Sequence, residues 1–228
     1  MYHSIQIGSK NTYDDWHLLS TSRPVVAAPQ PKLIFEEVPG SSNTIDLSES
    51  LTGAVEYYDR SGSFEFIVEN DYVSWELLYS EIMTYLQGRT LKMILEDDPN
   101  YYYEGRFAVN EWRSEKDWSK IVIDYRLKPF KYEIVSTGLV EIELSDEQYF
   151  DLVHIDDIYV PTVPVITAEN AVSQMAYIAH GAVQGTYELP AGSSSPVRLI
   201  GLGADNQNTL LFYGGSGKIT IAYNKGRL

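Results

Sequence analysis

Short apolar segments separated by turn residues recur through the second half of the chain, and this spacing constrains the fold most. Between residues 139 and 223 the segments repeat roughly every 8–12 residues, and no helical period interrupts them. Such a pattern is typical of a β-sandwich. The predicted strands are 139–144, 163–168, 176–178, 182–189, 197–202, 209–213 and 218–223.

The first part of the chain also alternates between strands and turns, but it contains one helical period. Asn70 or Asp71 is predicted to cap the start of this helix, and Gly88 stands where a C-terminal cap belongs. The recurring apolar residues are Trp75, Leu78, Ile82 and Leu86. Strands are predicted at 4–7, 16–19, 64–68, 90–95, 101–109 and 121–127, with a loop at 112–120.

Four prolines punctuate residues 23–40. Proline cannot donate a backbone hydrogen bond and disrupts the interior of a helix, so this stretch can be neither a helix nor a central strand. An extended edge or an arm is therefore predicted. The prolines are Pro24, Pro29, Pro31 and Pro39.

The composition changes near Lys131. Residues 1–132 hold 21 acidic and 13 basic residues, whereas residues 133–228 hold 11 and 4, and the last stretch is rich in Gly and Ser. We therefore predict two domains, 1–134 and 135–228. The predicted fold class is mainly β: an N-terminal β-sandwich with one amphipathic α-helix, followed by a C-terminal β-sandwich.

The charge and composition exclude several classes of protein. A formal charge of −15 disfavours binding to nucleic acid through its phosphates, although an acidic wall would let DNA pass without sticking. The chain has no cysteine, so disulfides and thiolate ligands are excluded. Neither a membrane span nor a signal peptide is predicted from the apolar runs.

The segment "EDDPNYYYEGRF" at 96–107 places acidic and aromatic residues side by side. Asp97 and Asp98 could bind a divalent cation, but Asp-Asp-Pro-Asn between two strands favours a β-turn. On the following strand, Tyr101 and Tyr103 share one face and Tyr102 takes the other. Packing and an interface are favoured over a platform for sugar.

No catalytic or cofactor motif is found. The four histidines have no metal-binding spacing, although His154 lies among carboxylates and could belong to a weak cluster. GxSxG, the P-loop and a strand-to-helix GxGxxG are all missing from the sequence. We therefore predict no catalytic residue, no cofactor, no metal and no enzymatic activity, with a host-entry glycosidase or peptidase as the least favoured alternative.

An acidic run without Lys or Arg extends from Glu133 to Asp157. A solvated face is the ordinary interpretation, and a patch facing a channel or a basic partner is the alternative. The candidate residues of such a patch are Glu141, Glu143, Asp146, Glu147, Asp151, Asp156 and Asp157.

Several segments taken in order resemble the distal tail proteins of long-tailed, non-contractile bacteriophages and prophages. The resemblance covers about residues 1–132 and is looser over the last ninety, through "LPAG" and "GGSGKITIAYNKGRL". The matching segments are "YDDWHLLSTSRP", "PKLIFEEVPGSSNTIDLSESLTG", "FEFIVEN", "LQGRTLKMIL" and "EDDPNYYYEGRF".

This resemblance implies a structural protein of the virion tail tip, made and assembled in the cytoplasm of the bacterial host. The N-terminal domain would form a homohexameric ring, and the C-terminal domain would be galectin-like. The ring would join the major tail tube protein to the tail-associated hub or fibre protein, leaving a channel through which DNA passes without specific binding. Inserted carbohydrate-binding modules, found in some relatives, have no room here.

A carbohydrate-binding module that contacts the host cell surface is the alternative function. The C-terminal sandwich would then grip sugar with exposed aromatic rings. All four tryptophans lie in the first domain, so the candidate platform consists of Tyr177, Tyr187 and Tyr213.

Overall fold

A computed structural model gives the fold, and it describes residues 3–50, 55–69, 74–114, 118–144, 150–155, 160–179, 181–199 and 208–228. Within these residues the protein is mainly β with one α-helix, which confirms the predicted fold class. The chain forms two compact units. Unit 1 comprises residues 1–32, 57–134 and 228, and unit 2 comprises residues 33–56 and 135–227.

The elements up to residue 127 are β1 (Ile5–Ile7), β2 (Lys10–Asn11), β3 (Leu19–Ser20), β4 (Phe35–Glu37), β5 (Thr44–Asp46), β6 (Arg60–Glu69), α1 (Trp75–Leu86), β7 (Thr90–Leu95), β8 (Tyr101–Ser114) and β9 (Trp118–Leu127). Those that follow are β10 (Lys131–Leu144), β11 (Phe150–Ile155), β12 (Val165–Ala168), β13 (Val172–Ala179), β14 (Ala182–Leu189), β15 (Gly192–Ser194), β16 (Asn208–Tyr213) and β17 (Gly217–Arg227).

Unit 1 is an antiparallel sheet with the strand order β2-β1-β7-β8-β9-β6-β3, and the start of β10 pairs with β8. Its core contains alternate residues of these strands together with one face of α1. Ile121, Ile123 and Tyr125 of β9 face this core, as the period of two along a strand requires. Burial of such apolar side chains is the main favourable contribution to folding.

Helix α1 buries Leu78, Ile82 and Leu86, which confirms the face predicted from the helical period. It starts later than expected, because its N-cap is Ser74, and Asn70 and Asp71 lie outside the described residues. Gly88 follows the C-cap Gln87 with φ of +69°, a conformation that glycine adopts without strain.

Unit 2 is built from two antiparallel sheets. One has the order β15-β12-β17-β10 and the other β11-β16-β13-β14. Both contribute to a single core, for example Ile166 and Ile221 from the first sheet and Met175 and Phe212 from the second. Two sheets that enclose one core form the β-sandwich that the strand spacing predicted.

The strand prediction for unit 2 departs from the structure at residues 197–202 and at β11. A strand was expected at 197–202, but the described part of that segment forms only an isolated bridge between Thr162 and Leu199. Conversely, β11 lies inside the acidic run and was not predicted. Its buried residues Val153 and Ile155 alternate with exposed ones, but neighbouring acidic residues obscure this short pattern.

Candidate interaction surface

Residues 33–48 form a small hairpin that leaves its apolar side chains exposed. β4 and β5 pair only with each other in the described structure, with Glu36 opposite Ile45. We call its exposed apolar residues the hairpin patch. Their exposed fractions are 53% for Leu33, 45% for Ile34, 55% for Phe35, 37% for Val38 and 51% for Ile45.

Both faces of the hairpin carry members of the patch. Strand periodicity places Leu33 and Phe35 on one face, and it places Ile34 on the other together with Ile45. Every residue of β4 and β5 is exposed, so neither face is covered. An isolated two-stranded hairpin is at best marginally stable in water. A hairpin that exposes this many apolar side chains is therefore a candidate for binding another surface.

Polar contacts at its base hold the hairpin together. The hydroxyl of Ser48 accepts a hydrogen bond from the backbone N–H of Ile34 at 2.9 Å, and the N–H of Leu47 donates to the carbonyl of Ile34 at 2.8 Å. The Ser48 side chain and backbone both donate to the Asp46 carboxylate, which lowers the pKa of that group. These bonds fix the base of the hairpin without burying its side chains.

The proline-rich stretch before the hairpin is anchored within unit 1. The guanidinium of Arg60 donates to the carbonyl of Ala27 at 3.2 Å, and the Tyr125 hydroxyl accepts from the Ala27 N–H at 3.3 Å. Pro31 forms a bridge with Tyr57, where the chain re-enters the unit. As predicted, this stretch contains neither a helix nor a central strand.

A second exposed surface is the outer face of the sheet β11-β16-β13-β14. The register aligns Leu152, Leu211 and Ala176 in one row across three strands. A neighbouring row contains His154, Thr209, Ile178 and Val183. Leu152 is 51% exposed and Val183 62%. Neither row contains a carboxylate, although the protein is strongly acidic.

The three tyrosines of the carbohydrate hypothesis do not share a face of this sheet. Tyr177 is buried, and its hydroxyl donates to the side-chain oxygen Oδ1 of Asn208 at 2.7 Å. Tyr187 is half-buried and packs against the core of unit 2. Only Tyr213, which is 36% exposed, presents its ring on the outer face, opposite Gln174 in the register.

The acidic run is partly described. Glu141 and Glu143 point away from the core on β10, and Glu141 forms an ion pair with Lys218 at 2.8 Å. Asp146, Glu147, Asp156 and Asp157 lie outside the described residues, as does the side chain of Asp151. His154 contacts the Thr209 hydroxyl through Nδ1 at 2.9 Å.

The described contacts of the segment "EDDPNYYYEGRF" stabilise the fold and do not form a reaction centre. The N–H of Asp98 donates to the Leu95 carbonyl at 3.0 Å, and the N–H of Tyr101 donates to the Asp98 carbonyl at 3.2 Å. The chain therefore turns at 95–98 and again at 98–101, around the predicted turn at 97–100. Asp97 pairs with Arg23 at 2.8 Å, and Asp98 pairs with Lys131 at 2.6 Å. Among the residues that the structure describes, no group of three potential ligands is placed to hold a metal.

Tyr102 and Tyr103 take opposite sides of β8, as the sequence predicted. Tyr103 is buried in the core of unit 1, whereas the Tyr102 ring lies 5.8 Å from that of Tyr132 and 4.1 Å below the Lys92 ammonium group. The tyrosines therefore contribute packing and cation–π contacts.

Sequence analysis did not identify the hairpin patch or Arg60. The signal for the patch was the apolar run "LIF" between Pro31 and Pro39, which was interpreted only as an extended arm. Arg60 carried no comparable signal, because its burial depends on residues far away along the chain. The described part of the chain contains no helix long and apolar enough to cross a membrane.

The fold matches a solved structure along the whole of both chains. The crystal structure of SPP1 Dit (gp 19.1), described as a paradigm of the hub adsorption apparatus in phages that infect Gram-positive bacteria, aligns with a TM-score of 0.65 and 11% sequence identity, and the alignment covers 100% of each chain. This chain shares its fold with SPP1 Dit. No protein-family model and no curated protein matches the sequence. At this identity the likeness establishes the fold alone.

Proposed function

We propose that the protein is a non-enzymatic structural component of a phage tail tip, assembled as a ring of six copies. The observation that carries this proposal is the full-length match in fold to SPP1 Dit, a protein of a phage hub adsorption apparatus. The ordered segments that resemble distal tail proteins support the same assignment from the sequence.

In this role the ring joins the tail tube protein to the hub or fibre protein and leaves a passage for DNA. The formal charge of −15 supports the passage, because a negative wall repels the phosphate backbone. Unit 1 then corresponds to the ring-forming domain and the sandwich of unit 2 to a galectin-like domain. The acidic residues Glu141 and Glu143 are candidates for the wall or for a basic partner.

The hairpin patch supports self-association. Burying exposed apolar surface is favourable by about 25 cal/mol per Å² removed from water. A second copy of the chain, present at high local concentration, offers apolar surface against which the patch can be buried. A ring also covers strand edges that would otherwise remain exposed.

The first test compares Leu33→Asp with Leu139→Asp. Leu33 belongs to the hairpin patch and is 53% exposed, and Leu139 lies outside it and is 59% exposed. Size-exclusion chromatography with light scattering should give about six times the 25.8 kDa chain mass for the native protein and for Leu139→Asp. Leu33→Asp should shift the mass toward the monomer, because a buried carboxylate in the contact is costly.

Negative-stain images of the native protein give an independent readout, and a ring with a central hole is expected. A native protein that stays monomeric at tens of micromolar, with no ring in the images, would contradict the proposal. Equal masses for the two variants would instead show that the hairpin patch takes no part in assembly.

Carbohydrate binding remains the second hypothesis. The observation that favours it is the exposed ring of Tyr213 beside the amide of Gln174 on the outer sheet face. Because Tyr177 and Tyr187 face the core, sugar stacking would depend on Tyr213 alone.

A further inference from the structure

The outer face of the unit 1 sheet carries a group of exposed cations. On β7, on β8 and on β9 with the residue that follows it, side chains that point into the core alternate with side chains that point away from it. Two lysines and two arginines point away and are exposed, and we call them the basic face. They are Lys92, Arg106, Arg126 and Lys128. This group lies on a chain whose formal charge is −15.

The register places these cations in two neighbouring rows across the sheet. Arg106 of β8 lies directly opposite Arg126 of β9. In the next row, Glu104 lies opposite Lys92 and forms an ion pair with Lys128 at 2.9 Å. Like charges directly opposite each other on two strands are destabilising. The arginine pair therefore costs the free protein stability, and an anion between the two guanidinium groups would restore it.

The arginine pair keeps most of its hydrogen-bond donors available to a ligand. Among the described residues, neither Lys92 nor Arg106 forms an ion pair: the ammonium group of Lys92 lies 4.1 Å from the centroid of the Tyr102 ring, and Nη1 of Arg106 donates to one backbone carbonyl at 2.6 Å. Arg126 donates through Nε to Asp59 at 2.9 Å, and its side chain is still 75% exposed. A guanidinium has five N–H groups in a fixed fork that fits a carboxylate.

Tyrosine rings border the basic face on one side. Tyr102 and Tyr132 lie opposite each other in the adjoining row, and their ring centroids are 5.8 Å apart. On the other side, the half-buried Asp124 lies opposite Ala108 and marks the end of the face. Arginine and tyrosine are enriched at the residues that contribute most to protein–protein binding. The composition therefore favours a protein as the partner.

The charge of the remaining surface limits what can occupy the basic face. A nucleic acid is a long polyanion, and beyond the four cations it would meet the repulsion of a chain of charge −15. A second copy of the chain would bring the same negative charge to the contact. A compact group of carboxylates on a different, less acidic protein meets the four cations with less repulsion than either.

We propose that the basic face binds a cluster of Asp or Glu side chains on a different protein, with one carboxylate held between Arg106 and Arg126. The two lysines contact neighbouring carboxylates, and the two tyrosines pack against the rim of the partner. This inference goes beyond the proposed function, because the contact involves no second copy and requires no ring. In a tail tip, the partner is a neighbouring component of the tip.

The test measures binding of a defined acidic probe, a fluorescein-labelled peptide of eight glutamates, by fluorescence anisotropy. Arg106→Gln/Arg126→Gln should bind the peptide about tenfold more weakly than the native protein at about 50 mM NaCl, because charge-assisted hydrogen bonds are lost. Raising the salt to about 500 mM should weaken native binding by a similar factor, since screening reduces the attraction.

The matched control is Arg113→Gln/Arg198→Gln, which removes the same two charges outside the basic face. Arg113 is 68% exposed and Arg198 is 53% exposed, and each pairs with one glutamate, as Arg126 pairs with Asp59. The control should bind the peptide with native affinity. Equal weakening in the two variants would show that only the net charge matters, which overturns the assignment of the face.

A second variant and a second probe complete the test. Lys92→Gln/Lys128→Gln should also weaken binding of the peptide, and native affinity in both variants of the face overturns the proposal. A labelled single-stranded DNA of eight nucleotides should bind the native protein more weakly than the peptide does. Tighter binding of the DNA would assign the face to phosphate groups and overturn a protein partner.

Light scattering on the same samples separates this inference from the proposed ring. Native protein and Arg106→Gln/Arg126→Gln should have the same mass. A lower mass for the variant alone would show that the face contacts another copy, which overturns the inference and leaves the ring in place. A native protein that is monomeric but binds the peptide through the two arginines contradicts the ring and supports the basic face.

Discussion

Arg60 is a buried cation that bonds to main-chain carbonyls. It is 6% exposed, and its Nε donates to the Pro129 carbonyl at 2.7 Å while Nη1 donates to that of Ala27. Its guanidinium lies 5.4 Å from the centroid of the Tyr103 ring, and burial lowers its pKa. No carboxylate in the described part of the chain forms an ion pair with it. The residue thus ties two distant segments to the core of unit 1.

Arg60→Met should destabilise unit 1 by about 2 kcal/mol, since two carbonyls lose their charged donor. The control Arg126→Met removes an exposed arginine whose pair with Asp59 is solvated, and it should change stability by less than about 0.5 kcal/mol. Urea unfolding followed by tryptophan fluorescence measures the free energy of unfolding of unit 1, because all four tryptophans lie in that unit. Equal midpoints for the two variants would show that the Arg60 bonds contribute little.

Whether the sequence predicted a residue's contacts depended on how far apart the contacting residues lie along the chain. The opposite faces of Tyr102 and Tyr103 followed from the strand period alone, and the structure confirms them. The partners of Asp97 and Asp98 did not follow, because Arg23 and Lys131 reach them only after the sheet has formed. Local geometry is encoded in neighbouring residues, whereas an ion pair depends on register between strands.

At the scale of elements, β8 shows where a sequence pattern fails. The strand was predicted to end at Val109, yet it continues to Ser114. The pairing with β9 shifts register between Val109 and Glu111. A β-bulge of this kind adds one residue and interrupts the alternation on which the prediction rests. The predicted loop at 112–120 was accordingly too long.

Gly105 lies on β8 directly against the backbone of β9. A Cβ at this position would be 2.6 Å from the Cα of Leu127 and would overlap the carbonyl oxygen of Arg126. Both contacts are with backbone, so a side chain cannot rotate away. Glycine within a strand is typical of either a bulge or a close approach of another backbone, and at Gly105 the structure shows the close approach.

Gly105→Ala should therefore lower the stability of unit 1 by about 3 kcal/mol, because the two strands must separate to admit the methyl group. Ser61→Ala, at an exposed position of β6, is the control and should fall within about 0.5 kcal/mol of the native protein. Thermal unfolding monitored by tryptophan fluorescence provides the comparison. A native melting temperature for Gly105→Ala would mean that the strands tolerate wider spacing.

For the molecule as a whole, charge opposes assembly. Each copy carries −15, and a ring brings several copies together. If strand pairing and apolar burial hold the ring, salt should strengthen it by screening the repulsion. We expect the fraction in the ring to rise between 50 mM and 500 mM NaCl in sedimentation velocity experiments. Dissociation of the ring by salt would instead indicate that ion pairs hold the copies together.

The sequence by itself determined the mainly β class, the sandwich in the second half, the apolar face of the single helix and the absence of a helix or central strand from residues 23–40. Each of these depends on short-range periodicity or on the missing N–H of proline, which act within a few residues. Only the tertiary structure decided which edges stay unpaired, that Tyr177 and Tyr187 face inward, and that the hairpin patch is left uncovered. These features depend on contacts between segments distant along the chain, and no local pattern of residues specifies them.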